Sequence, residues 1–232
     1  MSHQGAVYLI LGSASAVAQA LAGRLAAAGA VVEGVSRRGE GLNLADFAAA
    51  EEAVQQAAGR HGRLDGLVNC AGSILLKPAH ITTQAEYAAT LEANLGTAFA
   101  AVRAGAKAMM QTGGSIVLVS SAAARIGLAN HEAVAAAKAG VIGLTLAAAA
   151  TYAGKGIRVN CVAPGLTETP MASRITGNEA ARAASTAMHA LGRLGRPEDV
   201  ASAIEWLLDP GNSWVTGQVI GVDGGLGTIR SK

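Results

Sequence analysis

Short apolar runs rich in β-branched residues alternate along this chain with longer stretches rich in alanine. Hydrophobicity within each run is continuous rather than alternating, which indicates strands that are buried on both faces. Strand–helix alternation of this kind is typical of a parallel sheet with right-handed crossovers and helices on both faces. The predicted strands are Ala6–Leu11, Val31–Val35, Leu64–Asn69, Ser115–Val119, Arg158–Ala163 and Gln218–Val222.

The alanine-rich stretches have the apolar spacing of helices that pack on a sheet. The last of them opens with Pro197, Glu198 and Asp199, a proline and two acids in the first turn. No linker divides the 232 residues, so we expect one domain over residues 1–232. The predicted fold is α/β, a Rossmann-type doubly wound parallel sheet of about seven strands. The predicted helices are Ala16–Ala28, Phe47–His61, Gln84–Gln111, Glu132–Tyr152 and Pro197–Leu208.

Charge and composition exclude several classes of function. The formal net charge is only +2 and the basic residues are scattered, so we expect no nucleic-acid partner. Cys70 and Cys161 lie in apolar runs, where reduced thiols are expected, and no export signal is visible, so we expect a cytoplasmic protein. The longest apolar stretch, Ala139–Ala150, is too short to cross a bilayer and predicts a buried helix. We expect no membrane span and no metal site.

The first predicted strand ends in a turn of small residues that leads directly into a helix. This turn places backbone N–H groups and a helix N-terminus where a pyrophosphate can bind. Only one glycine of a full dinucleotide-binding fingerprint is present, so close packing of small residues explains the turn equally well. The candidate binding residues are Gly12, Ser13, Ser15, Ala16 and Val17.

Further short motifs follow in order along the chain. They are Asn69-Cys70-Ala71-Gly72, Asn94, Ser120-Ser121, Lys138, Ala163–Pro170 and Gly217–Gly225. Together they resemble the short-chain dehydrogenase/reductase family over essentially the whole chain, and the ordered set is far more specific than any single motif. The resemblance implies an oxidoreductase that uses a nicotinamide cofactor on a small-molecule carbonyl/alcohol pair. It also implies a homodimer or homotetramer.

The match to the family's cofactor motifs is partial. Of the three glycines in the family's first turn only Gly12 is kept, and Ala16 and Ala18 replace the other two. Each alanine adds a methyl group where backbone approaches phosphate. The stretch from Met171 to Leu191 resembles the segment that covers the substrate in this family. The other residues assigned to the cofactor are Asn43, Leu44, Asn69, Ala71, Gly72, Lys138, Pro164, Gly165, Thr167 and Thr169.

The end of the second predicted strand bears on the choice between NAD and NADP. A carboxylate there would bind the ribose 2′-hydroxyl of NAD, whereas arginine accommodates the 2′-phosphate of NADP. This chain has Ser36, Arg37 and Arg38, which favours NADP, with NAD as the other possibility. Two solvated surface arginines are the competing interpretation. The short segment Ser36–Leu42 predicts a loop where another helix is usual.

The family's active site uses Asn, Ser, Tyr and Lys, which fall by position on Asn94, Ser121, Val134 and Lys138. Valine has no titratable proton, so the residue that usually transfers the proton is missing. Three substitutes are open: His131, one helical turn before Val134; the Ser121 hydroxyl; or a water held by Lys138. A solvent-exposed His131 with no catalytic role is the simpler alternative. The missing tyrosine also leaves open a nucleotide-binding pseudoenzyme that acts as a sensor, scaffold or partner subunit.

Overall fold

The computed structural model describes residues 3–37 and 41–229. Within these residues the strands form one fully parallel sheet of six strands in the order β2-β1-β3-β4-β5-β6. The predicted doubly wound parallel sheet is confirmed, with one strand fewer than the approximate seven expected. The strands are β1 (Val7–Leu11), β2 (Val31–Val35), β3 (Gly66–Asn69), β4 (Gly114–Val119), β5 (Ile157–Pro164) and β6 (Val219–Val222).

Helices cover both faces of the sheet. They are α1 (Ala16–Ala27), α2 (Phe47–His61), α3 (Gln84–Leu91), α4 (Thr97–Met109), α5 (Glu132–Tyr152), α6 (Ser173–Thr176), α7 (Glu179–Met188) and α8 (Pro197–Leu208). Alternate residues of β1 serve the two layers: Leu9 and Leu11 pack with α2, α4 and α5, whereas Tyr8 and Ile10 pack with α1 and α8. Burial on both faces explains the continuous hydrophobicity of the strands.

Local signals define the helix ends. The Asp46 side chain accepts a hydrogen bond from the Ala49 amide at 2.9 Å and so caps the start of α2. Gly62 ends α2 in the left-handed region, with φ 69°. The predicted bounds of α2, α5 and α8 agree with the structure. The predicted helix over Gln84–Gln111 is instead α3 and α4 joined by a π-helical segment, Glu92–Gly96.

Helix α5 is a sheet-covering helix, as the sequence predicted. By length and composition alone, Glu132–Lys155 could cross a membrane. In the fold, however, Val141, Ala148 and Ala149 belong to the same core cluster as Val159 of β5. The apolar character of α5 is therefore used in packing against the sheet.

The order of the strands determines where a ligand can bind. Strand β1 pairs with β2 on one side and with β3 on the other, so the direction of strand addition reverses between β1 and β3. In open α/β sheets ligands bind at the carboxyl ends of the strands beside such a switch point. Within the predicted loop Ser36–Leu42, Arg37 is helical and its carbonyl oxygen accepts from the Gly41 amide at 3.1 Å, so the described residues count against a plain loop there. Residues 38–40 lie outside the described residues.

Candidate active site

The turn after β1 lies at the switch point. Gly12 has φ +81°, and a Cβ atom there would lie 2.5 Å from the Ala71 amide nitrogen, so the turns after β1 and β3 approach closely only because residue 12 is glycine. Ser15 caps α1, its Oγ accepting from the Ala18 amide at 3.2 Å. First-turn amides, here those of Ala16 and Val17, have no carbonyl of their own helix to bond. The turn thus serves close packing at Gly12, and its use as an anion site at the helix start stays a prediction.

The end of β3 is organised by Asn69, which is buried. Its Nδ2 donates to Thr97 Oγ1 at 3.2 Å, and its Oδ1 accepts from the Ala71 amide at 3.3 Å. Asn69 therefore fixes the turn that faces Gly12. The neighbouring Cys70 is a free thiol, and burial raises its pKa to about 12. At neutral pH it remains protonated and serves as a small apolar side chain.

Asn94 lies in the π-helical segment and is 1% exposed. Its Nδ2 donates to the Thr90 carbonyl oxygen at 2.9 Å and to Ser73 Oγ at 3.1 Å, and its Oδ1 accepts from the Ser73 amide at 3.2 Å. A π-helical turn inside a helix often marks a functional site. Here Asn94 holds Gly72-Ser73, in the loop after β3, in place through side-chain and backbone contacts.

Lys138 is the buried cation of the site, 8% exposed on the inner face of α5. Its Nζ donates to the Val119 carbonyl oxygen at 2.8 Å. A Cβ at Gly72 would lie 3.3 Å from this Nζ and 2.9 Å from Asn94 Oδ1, so the three residues meet. Burial lowers the pKa of Lys138 to about 8. No carboxylate of the described residues forms an ion pair with Lys138.

Two serines at the end of β4 have different roles. Ser120 Oγ donates to the Lys138 carbonyl oxygen at 2.8 Å and so ties β4 to α5. Ser121 Oγ accepts from the Ala123 amide at 3.2 Å. Because that bond uses Ser121 as an acceptor, its hydroxyl hydrogen can be donated to a ligand oxygen.

The position of the missing tyrosine is buried, and the proposed histidine substitute is not. Val134 is 5% exposed, one turn before Lys138 on the same face of α5. His131 precedes α5, is half-buried, and places Nδ1 2.7 Å from the Ala129 carbonyl oxygen. His131 therefore lies outside the buried group of Asn94 and Lys138.

The loop after β5, Gly165–Thr169, carries the predicted hydroxyl ligands. Thr167 Oγ1 donates to the Gly165 carbonyl oxygen at 3.1 Å, and Thr169 Oγ1 accepts from the Ala172 amide at 3.3 Å. Pro164 is the last residue of β5, so the loop begins at a strand's carboxyl end. Both threonines lie where the parallel sheet presents its binding edge.

Residues after β2 lie on the other side of the switch point. Ser36 is buried, Arg37 is exposed, and Arg38 lies outside the described residues. Asn43 Nδ2 donates to Glu92 Oε1 at 3.0 Å, and the Leu44 side chain packs in the core. The structure thus leaves the Arg37 side chain in solvent, where it is able to meet a phosphate.

Two side chains near the carboxyl ends of the strands were not predicted from the sequence. Ser73 follows the recognised motif directly, yet nothing in the sequence reveals its bonds to Asn94. His189 contacts Leu166, 23 residues earlier, and a lone histidine in an alanine-rich segment gives no signal of such a contact. The roles assigned to Asn94, Ser121, Lys138 and His131 stay predictions.

Comparison with known proteins identifies the family. The model of a family described as enoyl-(acyl carrier protein) reductase matches residues 12–227. The chain belongs to the short-chain dehydrogenase/reductase family. It is 38% identical to the 3-oxoacyl-[acyl-carrier-protein] reductase FabG of Thermotoga maritima, an alignment that covers 97% of this chain and 99% of the relative. Family membership confirms the resemblance stated from the sequence motifs.

Two other similar proteins bear on the site. One is the inactive 2-(S)-hydroxypropyl-CoM dehydrogenase 2 of Xanthobacter autotrophicus, 36% identical over 84% of this chain and 87% of the relative. The other is the structure of a proposed NAD(P)-dependent gluconate 5-dehydrogenase from Beutenbergia cavernae with NADP bound at low occupancy. It superposes with a TM-score of 0.90 at 32% identity and covers 97% of this chain and 98% of its own. NADP, the cofactor predicted here, is bound in that neighbour.

Proposed function

We propose that this short-chain dehydrogenase/reductase is an NADP(H)-preferring oxidoreductase acting on a carbonyl/alcohol pair in a small molecule. The observation that carries the proposal is Lys138. A buried cation without a carboxylate partner among the described residues is costly to the fold. Its one bond to the Val119 carbonyl leaves two ammonium donors for a ligand. These donors lie at the binding edge of the sheet, beside Gly72 and Asn94.

The residues at this edge fit a dinucleotide. The first turn of α1 supplies amides for the pyrophosphate, with Ser15 as the cap. Arg37 would bind the 2′-phosphate, and Lys138 would hold hydroxyls of the nicotinamide ribose. When bound, the nicotinamide ring would supply or accept the hydride of the reaction. Thr167 and Thr169 would offer hydroxyls to its carboxamide.

The protein's own part in the chemistry is to polarise oxygen and to move a proton. Ser121 would donate its hydroxyl hydrogen to the substrate oxygen. Lys138, charged below a pKa of about 8, would stabilise negative charge there and hold a water that supplies the proton. Its burial beside Asn94 favours this route over His131, which precedes α5 and is only half-buried. Asn94 would act by holding Gly72 and Ser73 in position.

Binding of the nucleotide is the first test. A calorimetric titration with NADPH, run beside NADH, should give micromolar affinity for NADPH and weaker affinity for NADH. NADPH consumption would then be followed with 3-oxoacyl thioesters, because a similar protein is a 3-oxoacyl-[acyl-carrier-protein] reductase. Absence of binding for both nucleotides would overturn the proposal.

A second candidate function is a nucleotide-binding protein without turnover, serving as a sensor, scaffold or partner subunit. Val134 favours it, because no titratable group stands at the usual place of proton transfer. The inactive dehydrogenase of Xanthobacter autotrophicus is as similar to this chain as several active relatives are. NADPH binding without turnover on any tested carbonyl would select this function.

We further propose a homodimer or homotetramer in the cytoplasm. Helices α4 and α5 expose the large apolar side chains Phe99 and Leu146. Alanine-rich helix faces pack closely against one another, and exposed apolar patches often mark subunit contacts. Light scattering that gives the mass of a monomer would contradict the proposed assembly.

A further inference from the structure

A buried histidine joins helix α7 to the loop Gly165–Thr169. His189 follows α7 directly and is 3% exposed. Its Nδ1 lies 2.7 Å from the Ser185 carbonyl oxygen, and its Nε2 accepts from the Leu166 amide at 3.2 Å. A carbonyl only accepts and an amide only donates, so the ring is neutral with its proton on Nδ1. One ring nitrogen is thus bound to α7 and the other to the loop.

The ring also packs against the backbone of the loop. A Cβ at Gly165 would lie 2.6 Å from His189 Nε2 and 3.0 Å from the Asp223 Cα. A Cβ at Gly224 would lie 3.5 Å from His189 Cβ. The imidazole therefore fills the space between the loop and the turn that follows β6, and no side chain at Gly165 fits beside it.

Other bonds hold the loop to segments outside α7. The Leu166 carbonyl oxygen accepts from the Gly195 amide at 2.9 Å, and the Gly195 carbonyl oxygen accepts from the Glu168 amide at 2.9 Å. The Gly165 amide donates to the Val222 carbonyl oxygen at 3.1 Å. These bonds fix the loop to the sheet side of the molecule, but they place no constraint on α7.

Polar contacts between the loop and the segment of α7 and His189 occur at two points in the described part of the chain. One is the part-buried hydrogen bond from the Leu166 amide to the buried His189 ring. The other is an ion pair between Arg182 and Glu168, both of them exposed to solvent. Exposed ion pairs contribute little because water and salt screen them. The bond to the buried His189 ring is therefore the stronger of the two links, since losing it leaves the Leu166 amide without its acceptor.

We propose that His189 is a positioning residue that fixes α7 to the loop Gly165–Thr169. Helix α7 belongs to the segment that would cover the substrate. His189 then holds α7 in one arrangement relative to Thr167 and Thr169, which would face the nicotinamide. The inference rests on the proposed function for its consequence, because the loop carries Thr167 and Thr169. We call the two His189 hydrogen bonds, to Ser185 and to Leu166, the latch. The latch is a property of the cofactor-free protein and can be tested without any ligand.

Three variants separate the hydrogen bond between Leu166 and His189 from the ion pair between Arg182 and Glu168. His189→Gln places an amide oxygen at the same number of bonds from Cβ as Nε2 and so keeps an acceptor for Leu166. His189→Leu removes both hydrogen bonds at similar volume. Arg182→Gln, the matched control, removes only the ion pair to Glu168. The readout is amide hydrogen exchange in the peptide that covers residues 165–169, with a peptide from β4 as the internal reference.

Exchange in the loop peptide should be about tenfold faster in His189→Leu than in the wild type, because the Leu166 amide loses its hydrogen bond to the buried ring. It should stay near the wild-type rate in His189→Gln and Arg182→Gln. Exchange in β4 should not change in any variant. If His189→Leu does not fold, His189→Asn takes its place, because its shorter side chain does not reach Leu166. Wild-type exchange in the variant that lacks the acceptor would overturn the latch.

Titration with NADPH connects the latch to the proposed function. Affinity should fall by about tenfold in His189→Leu and recover in His189→Gln, since only the latter retains the acceptor. If the wild type binds no NADPH, the proposed function fails, yet the exchange comparison still decides the role of His189. Faster loop exchange with unchanged NADPH affinity would keep the latch and overturn its link to the cofactor.

Discussion

Val134 and Lys138 lie one turn apart on the buried face of α5, and only Lys138 carries a polar group. The ammonium of Lys138 is held by the Val119 carbonyl oxygen, whereas the Val134 side chain ends in methyl groups. The family's lysine is thus kept without the family's tyrosine. The resemblance gives the pair two functions, binding of the ribose and supply of the proton, and Val134 has no proton to supply.

Replacing Val134 with tyrosine should therefore raise the rate of carbonyl reduction. A positioned general acid contributes about 10²- to 10⁴-fold to a rate, and Lys138 is in place to lower the pKa of the new phenol. The measurement is NADPH consumption at saturating substrate. Val134→Phe is the control, because it adds the ring without the hydroxyl. Equal rates for the Tyr and Phe variants would show that more than the tyrosine has been lost from the site.

The charge of Lys138 should destabilise the fold at neutral pH. Burial lowers its pKa to about 8 in the folded protein, from 10.5 for an ordinary lysine. Below about pH 8 both the folded and the unfolded chain carry the charge, so the whole cost of burying it is present. Between these two pKa values only the unfolded chain keeps the proton, and stability rises with pH.

Lys138→Met should accordingly raise the free energy of unfolding at pH 7, by on the order of 3 kcal/mol. The difference from wild type should shrink as pH rises from about 8 and disappear near 10.5. Urea unfolding at a series of pH values measures this difference. The exposed Lys155 gives the control, since Lys155→Met should leave stability unchanged at every pH. A gain of the same size at pH 7 and at pH 10.5 would contradict the explanation by burial.

Arg37→Ala should weaken binding of NADPH and leave binding of NADH unchanged. The guanidinium is exposed after β2, where a 2′-phosphate would lie, and a charge-assisted bond to it contributes about 1.5–3 kcal/mol. Calorimetric titration of both nucleotides gives the comparison, with an expected loss of about tenfold or more for NADPH. Lys155→Ala is the control, because it also removes one positive charge. Lys155 precedes β5 and so lies at the amino ends of the strands, and its loss should leave the affinity for both nucleotides unchanged. Unchanged NADPH affinity in Arg37→Ala would reject the assigned role.

Helix and strand positions followed from local patterns. The bounds of α2 are set by Asp46 and Gly62. Aspartate is a preferred residue at the start of a helix and glycine a preferred residue just after its end, so both roles could be predicted. The π-helical segment around Asn94 was not predictable, because the Asn94 side chain in it bonds to Ser73, which lies in the loop after β3. The hydrophobic period and the capping residues of a sequence indicate local structure, whereas the contact between Asn94 and Ser73 depends on tertiary packing.

The candidate site, like the fold, could be predicted only in part from the sequence. Lys138 and Ser121 were found through ordered motifs, and the structure places Lys138 beside Asn94 as the resemblance implied. The Lys138 ammonium donates to the backbone carbonyl oxygen of Val119. Every residue has such a carbonyl, so the sequence gives no indication of this bond. The burial that lowers the pKa of Lys138 also depends on packing by several elements. The sequence indicates the candidate reacting groups, whereas packing sets the pKa of Lys138.

Gly12→Ala should destabilise the protein, since it tests the close approach of the turns after β1 and β3. The new Cβ would lie 2.5 Å from the Ala71 amide nitrogen, in a residue with φ +81°. Backbone strain and overpacking each cost about 1–3 kcal/mol, so urea unfolding should show a loss of that order. Gly23→Ala is the matched control. It lies in α1 with no atom within 4 Å of the added Cβ, and it should stabilise the fold by about 0.5–1 kcal/mol. A neutral effect of Gly12→Ala would mean that the two turns move apart at no cost, and that the glycine is not needed for packing.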